Sequence, residues 1–367
     1  MVVAVRLPFL LGGVSGEDAT YHAHAAVTVL NGGQLYRDVP YTYPPLYAYT
    51  EALAIAVLGN TSLGWKATAQ FYDIGSIVLI YLIVNRISNR NNALLAAALY
   101  GFSPLPFFAT SSFVSFDSTA SFWMLASILL LFMRKPIPSA ITLGIGTAYK
   151  YFPLLLLPAV LVYLSTKRQK ILYTVASIGT VAIIQLPFIL SSFSAWLDNV
   201  ILYHVGRPAS GATIYNLITL HPQLMDVQSP LTIISPITLV LAFLIVAISD
   251  GKSEVGLLKN SAFLMVTAVF FNKVVLFYAL WYIPLLCMFV GSLRRRTLVI
   301  ILIPFFILQT ALLLGWYVFD ISNMQNALAL AYVYLFTSGL LLTWLLRDRL
   351  LSAQKSQKLH KQVFRNV

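Results

Sequence analysis

Apolar runs of 15–25 residues follow one another along almost the whole chain, and clusters of Lys and Arg interrupt them at alternate gaps. Each run is close to the roughly 20 residues a helix needs to cross a ~30 Å hydrocarbon core. Hydrophobic residues make up 59% of the 367 positions and charged ones 10%. A soluble domain carries about 25% charged residues, so this chain has too little polar surface to face water. The expected fold is all-α, a polytopic transmembrane bundle of about 11–12 helices. It has no room for a large soluble domain and reads as one membrane domain over residues 1–349 with a basic cytoplasmic tail over 350–367. The lone cysteine, Cys287, excludes a disulfide within the chain.

The formal charge of +12 raises the question of nucleic acid. The placement of the cations answers it. Arg86/Arg90, Arg134-Lys135, Lys167-Arg168/Lys170, Lys252/Lys259, Arg294-Arg295-Arg296 and the tail from Arg347 hold 18 of the 24 Lys and Arg. Cytoplasmic loops carry that excess in membrane proteins. Nine of the 12 acids lie elsewhere, as do Arg6, Arg37, Lys66, Lys150, Arg207 and Lys273. The basicity therefore orients the chain in a bilayer, with the C-terminus in the cytoplasm and residues 14–62 and 191–230 outside it. The expected crossings are 63–85, 92–109, 116–133, 171–190, 231–248, 297–318 and 326–346. To these add 261–271 with 275–291, and a hairpin over 136–164 bent at Tyr149-Lys150-Tyr151-Phe152-Pro153, because Pro153 disfavours helix before it. Only Met1 to Gly13 precede the first external loop, and Arg6 and Pro8 lie within them. That is too short for a full span, so the native protein is expected to begin 10–20 residues earlier, the length that completes one.

The first external segment concentrates the polar chemistry: Gly16-Glu17-Asp18-Ala19-Thr20-Tyr21-His22, then Gly32-Gly33-Gln34-Leu35-Tyr36, then Tyr41-Thr42-Tyr43-Pro44-Pro45-Leu46. Residues 19–30 suit an interfacial helix. Asp18 stands near its start, either as a cap or as a functional carboxylate favoured by the helix dipole. Tyr36, Tyr41, Tyr43, Tyr47 and Tyr49 read first as an interfacial aromatic belt, and alternatively as stacking surfaces for a sugar or lipid. His22 and His24 flank Ala23, so on a helix they diverge and make a poor metal pair. No nucleotide-binding glycine loop, metal-ligand cluster or Ser/His/Asp arrangement stands out. Lys150 and Lys273 lie in apolar stretches, where a central Lys costs about 2.5–3.5 kcal/mol on insertion scales. Snorkelling lysines are the bland reading of both.

The stretch from Asp18 to Leu46 resembles the first external loop of the GT-C glycosyltransferases that use lipid-phosphate sugars, above all the first mannosyltransferase of GPI-anchor synthesis and its archaeal relatives. The acid, Gly32, Tyr36, Tyr41, Tyr43, Pro45 and Leu46 fall in that register. Tyr149-Lys150-Tyr151-Phe152-Pro153, Tyr203-His204-Val205-Gly206-Arg207 and Phe271-Asn272-Lys273 followed by Leu280-Trp281-Tyr282 agree in order. That family often carries acidic-x-acidic where this chain has Gly16 and then Asp18. Glu17 supplies a neighbouring acid with its side chain pointing elsewhere, so no cofactor is assigned and a divalent metal held by two acids is in question.

The resemblance implies transfer of a sugar, mannose by likeness, from a polyprenyl- or dolichyl-phosphate donor to a glycan or glycolipid acceptor outside the cytoplasm, with inversion by direct displacement. The departing phosphate monoester is a stable anion. What remains to be supplied is a base for the acceptor hydroxyl and cations for the phosphate. Asp18 is the candidate base. Arg207, Lys150, Lys273 and His204 are the candidate phosphate ligands, and Arg suits the task by binding two oxygens at once. Glu17, Tyr36, Tyr43 and Asp117 are the candidate substrate contacts, with Asp117 equally readable as a helix cap. The rival reading is a transporter or flippase for a lipid-linked sugar. Transporters place sites at the bilayer midplane on broken helices, often with internal repeats. This chain puts its polar residues in long external loops and shows no repeat.

Overall fold

A computed structural model of the protein describes residues 12–13, 17–111, 114–207, 214, 233–271, 276–289, 336–352 and 354, with the backbone alone at 17, 276 and 277. The expected crossing at 297–318, most of 326–346, the segment before residue 12 and the end of the tail lie outside the described residues. The chain divides into two compact units, one of Met1–Leu154 with Ile171–Arg207, the other of Leu155–Lys170 with Pro208–Val367. Apolar helices build both, so composition does not shift at the boundary.

In the first unit the helices are α1 (Glu17–Leu30), α2 (Leu46–Leu58), α3 (Ser62–Ile87), α4 (Arg90–Gly101), α5 (Pro104–Ser111), α6 (Asp117–Phe132) and α7 (Pro136–Tyr149). After α8 (Leu157–Tyr163), which belongs to the other unit, come α9 (Lys167–Ser191), α10 (Phe193–Leu197), a π turn over Asp198–Leu202 and α11 (Tyr203–Gly206). The stretch read as one long external loop is thus two helices joined by a turn. Among the described residues α3 and α9 are long and apolar enough to cross a membrane, and α4 with α5 forms a candidate span bent by 48°. The bend falls where Ser103 precedes Pro104, whose ring disfavours helix at the residue before it.

The burial pattern is that of a membrane helix. On α9 the buried side chains include Ser177 and Gln185, while Ile183 and Leu190 are 72% and 77% exposed. On α3, Lys66, Gln70, Asp73 and Ser76 are buried while Phe71 is 71% exposed. Polar groups inside and aliphatic groups outside suit hydrocarbon as the solvent. Inward polar groups join the helices. Tyr100 donates to Asp73 at 2.7 Å, Gln70 donates to Thr110 and Ser111, and the hydroxyls of Ser127, Ser139 and Tyr173 tie α6, α7 and α9 together. Two glycines let α7 approach closely on two sides. A Cβ at Gly146 would lie 2.8 Å from Trp123, and one at Gly144 2.6 Å from the Ser177 carbonyl.

The second unit holds α8, α12 (Ile234–Ile248), α13 (Glu254–Phe270), α14 (Ile283–Met288) and a helical stretch over 336–352, and in it Ser249 and Arg349 both donate to the Asn260 side-chain oxygen. Ser253 caps α13 by accepting from Gly256, and Lys259 pairs with Asp348 at 3.0 Å.

Candidate functional site

The site is built on the turn between α1 and α2. Helix α1 ends where Gly32 takes φ 83°, and the N–H groups of Asn31, Gly32 and Gly33 bond back to the carbonyls of Val27, Val29 and Thr28. Only glycine holds that φ without steric cost. The next turn is tightened by Asp38, which accepts from the Gln34 N–H at 2.7 Å. Tyr36 sits in that turn at φ 71°, a region rare for a bulky residue. It is buried, and its hydroxyl donates to the Tyr43 carbonyl at 2.8 Å. The turn therefore fixes Tyr43, the residue before Pro44.

One face of α1 meets this segment. Asp18, Tyr21, His22 and Ala25 recur at helical spacing. Thr42 donates its N–H to the Tyr21 hydroxyl at 2.7 Å, Tyr21 stacks on Tyr41, and His22 Nδ1 pairs with the Tyr41 hydroxyl at 3.1 Å. His22 is buried among Tyr21, Tyr41, Tyr43, Tyr47 and Phe116. Desolvation, helped by the nearby Lys150 charge, pushes its pKa down to about 3, so the imidazole is neutral. Asp18 stands on the same face, one turn before His22, and is exposed.

The second wall comes from the starts and ends of α6 and α7. Val114 adopts φ 55°, a left-handed conformation that strains a β-branched residue. That turn brings in Ser115, Phe116 and Asp117. Helix α7 stops at Tyr149, leaving Lys150 extended at φ −157°, ψ 142°. Lys150 Nζ reaches Asp117 at 2.8 Å, with both side chains less than a tenth exposed. The Ser115 hydroxyl donates to the other Asp117 oxygen at 2.9 Å. The ammonium also lies 4.4 Å from the Phe116 ring centre and 5.4 Å from that of Tyr43. Ring faces attract a cation at such distances.

The third wall is the segment after α9. His204 donates Nε2–H to the Thr42 carbonyl at 2.6 Å, and its ring centre lies 5.7 Å from that of Tyr43. Burial is the largest cause lowering its pKa, and Lys150 and Arg207 lower it further, against the hydrogen bond to Thr42. Arg207 lies 5.8 Å over the Tyr203 ring and is partly exposed.

The structure thus gathers Tyr43, Lys150, Asp117 and His204 into one constellation, with Asp18 and Arg207 on elements that enter it. Lys273 and the side chain of Glu17 lie outside the described residues. Tyr36 supports the turn from beneath. The belt reading fails for Tyr36, Tyr41 and Tyr47, which are buried at 4% exposure or less. Their rings pack between helices, and period alone does not separate that from an interfacial girdle. Sequence reasoning missed His22 as a core element of the site. The signal was its spacing four residues after Asp18. Among the described residues no three His, Cys, Asp or Glu side chains gather as a metal site.

Residues 42–196 match the family described as "Dolichyl-phosphate-mannose-protein mannosyltransferase". The chain is 24% identical over 282 residues to GPI mannosyltransferase 1 of Candida albicans, a match covering 68% of this chain and 70% of that one. The crystal structure of ArnT from Cupriavidus metallidurans in the apo state superposes with a TM-score of 0.60 at 14% identity, covering 96% of this chain and 72% of ArnT. The same protein bound to undecaprenyl phosphate gives 0.58 at 14% identity, covering 96% and 77%. At that identity the likeness is one of fold.

Proposed function

We propose that this chain, a multi-pass membrane glycosyltransferase of GT-C type and a homologue of mannosyltransferases, moves mannose from a polyprenyl- or dolichyl-phosphate carrier to a glycan or glycolipid acceptor on the extracytoplasmic side. The observation that carries this reading is the convergence on Tyr43 of His204 and of Lys150, itself paired with Asp117, beside the helix face that bears Asp18. Such a site offers an exposed carboxylate at its rim, aromatic rings within and cations at its wall. ArnT, of the same fold, was crystallised with undecaprenyl phosphate, a ligand of the chemistry proposed here.

In this reaction the acceptor oxygen attacks the anomeric carbon from the face opposite the phosphate. The bond from that carbon to the phosphate oxygen breaks, and the configuration inverts. Asp18 takes the acceptor's proton; as an exposed carboxylate it passes the proton on to water. Arg207 and Lys150 hold the phosphate oxygens, where charge grows as the bond breaks and fixed cations stabilise it most. His204, neutral and hydrogen-bonded to the Thr42 carbonyl, orients the Tyr43 segment and presents its ring to the carrier. Tyr43 and Asp117 line the path of the substrates. Tyr36 acts through Tyr43. Incubating purified protein with mannosyl-phosphoryl polyprenol and lipid extracts bearing acceptor should release polyprenyl phosphate in proportion to new glycoside. Donor that stays intact with every acceptor class would refute the reading.

A further inference from the structure

The proposed reaction changes the charge of its lipid. A sugar-phosphoryl polyprenol is a phosphodiester with one negative charge, and the polyprenyl phosphate left behind is a monoester approaching two. The same cations therefore hold product more tightly than substrate, which opposes turnover. Lys150 Nζ already has a carboxylate at 2.8 Å, buried with it. A buried ammonium stripped of a carboxylate partner is strongly disfavoured, and Asp117 gives Lys150 a carboxylate to return to as the phosphate departs. The strained turn at Val114 and the Ser115 hydroxyl hold Asp117 in place.

We infer that Asp117 is a positioning residue that competes with the phosphate for Lys150, and that the Asp117–Lys150 pair re-forms as polyprenyl phosphate leaves, making product release possible. Donor binding opens the pair and release closes it. Between the two, the Phe116 and Tyr43 rings keep the ammonium in register. No proton or electron is exchanged; the ammonium changes partner. This inference rests on the assignment of Lys150 as a phosphate ligand.

The readout is the ratio of product affinity to donor affinity, measured with polyprenyl phosphate and mannosyl-phosphoryl polyprenol on the full chain in vesicles. Asp117→Asn should tighten product binding at least about tenfold, and donor binding by less. In a Lys150→Gln background the same change should do nothing. Ser115→Ala is the milder variant. It removes a donor that shares the Asp117 charge, strengthens the pull on Lys150, and should weaken product binding by a few-fold. An unchanged product-to-donor ratio in both Asp117→Asn and Ser115→Ala overturns the inference. If Asp117→Asn does not fold, an unchanged ratio in Ser115→Ala alone does so. If Lys150→Gln leaves donor and product binding as they were, the fault lies in the phosphate assignment instead.

Discussion

Replacing Lys150 by Met separates what the buried ion pair does for the fold from what it does for chemistry. At 2.8 Å the Coulomb attraction is about 6 kcal/mol for an effective dielectric near 20. Desolvation of both groups cancels much of that, so the net worth of the pair is small, but removing one partner strands the other. Lys150→Met takes the ammonium away from the buried Asp117 carboxylate, which also accepts from the Ser115 hydroxyl. That should destabilise the first unit by about 3–5 kcal/mol, a fall of roughly 10 °C in melting temperature for a unit of this size. Adding Asp117→Leu removes the stranded charge, and most of the loss should return, because a hydrophobic pair of similar volume is often neutral or better. Thermal unfolding of the wild type, both single variants and the double variant gives the coupling directly. We expect the double variant to recover its melting temperature but not sugar transfer. Additive losses, with no recovery in the double variant, would refute the pair.

Asp18→Asn keeps the shape of the candidate base and removes its basicity, so turnover should fall at least ~100-fold with donor binding largely kept; near-normal turnover rules the role out. Arg207→Lys keeps the charge but loses the two-point grip on phosphate, and should weaken activity; an Arg207→Ala variant with unchanged donor affinity would end that assignment. His22 is neutral when folded, its pKa falling from 6.5 to about 3, so the unfolded chain binds the extra proton as pH drops. Stability should fall by about 2 kcal/mol between pH 6.5 and 5 and less so in His22→Phe; identical pH slopes would show that the buried imidazole is not the cause. Single cysteines at Ser194 and Asn91 in a Cys287→Ser background should label from opposite faces of the membrane, and labelling from one face would overturn the topology.

Much of the site was legible because its punctuation is local. Gly32 stops α1, and the chain breaks at Lys150 before Pro153, as the residue types demand. The crossing expected at 63–85 is α3, and that at 171–190 is α9. Lys150 and Asp117 each stand out in the sequence, but their pairing does not: 33 positions and the helices α6 and α7 separate them, and nothing in either segment names its partner. His22 was weighed only as a metal ligand with His24, although its spacing from Asp18 already put the two on one face. The structure buries Glu51 on α2 beside Tyr47, and among the described residues neither of its carboxyl oxygens has a hydrogen-bond partner. A side chain's burial depends on which helix covers it, and periodicity does not carry that information.

As proposed, this chain transfers the sugar and does not move the lipid. Purified protein in sealed vesicles, supplied with radiolabelled mannosyl-phosphoryl polyprenol and acceptor lipid, decides it. Label should appear in a new glycoside with polyprenyl phosphate in equal amount, and both should be lost in Asp18→Asn. Intact donor crossing the bilayer, with no label in any acceptor, would contradict it.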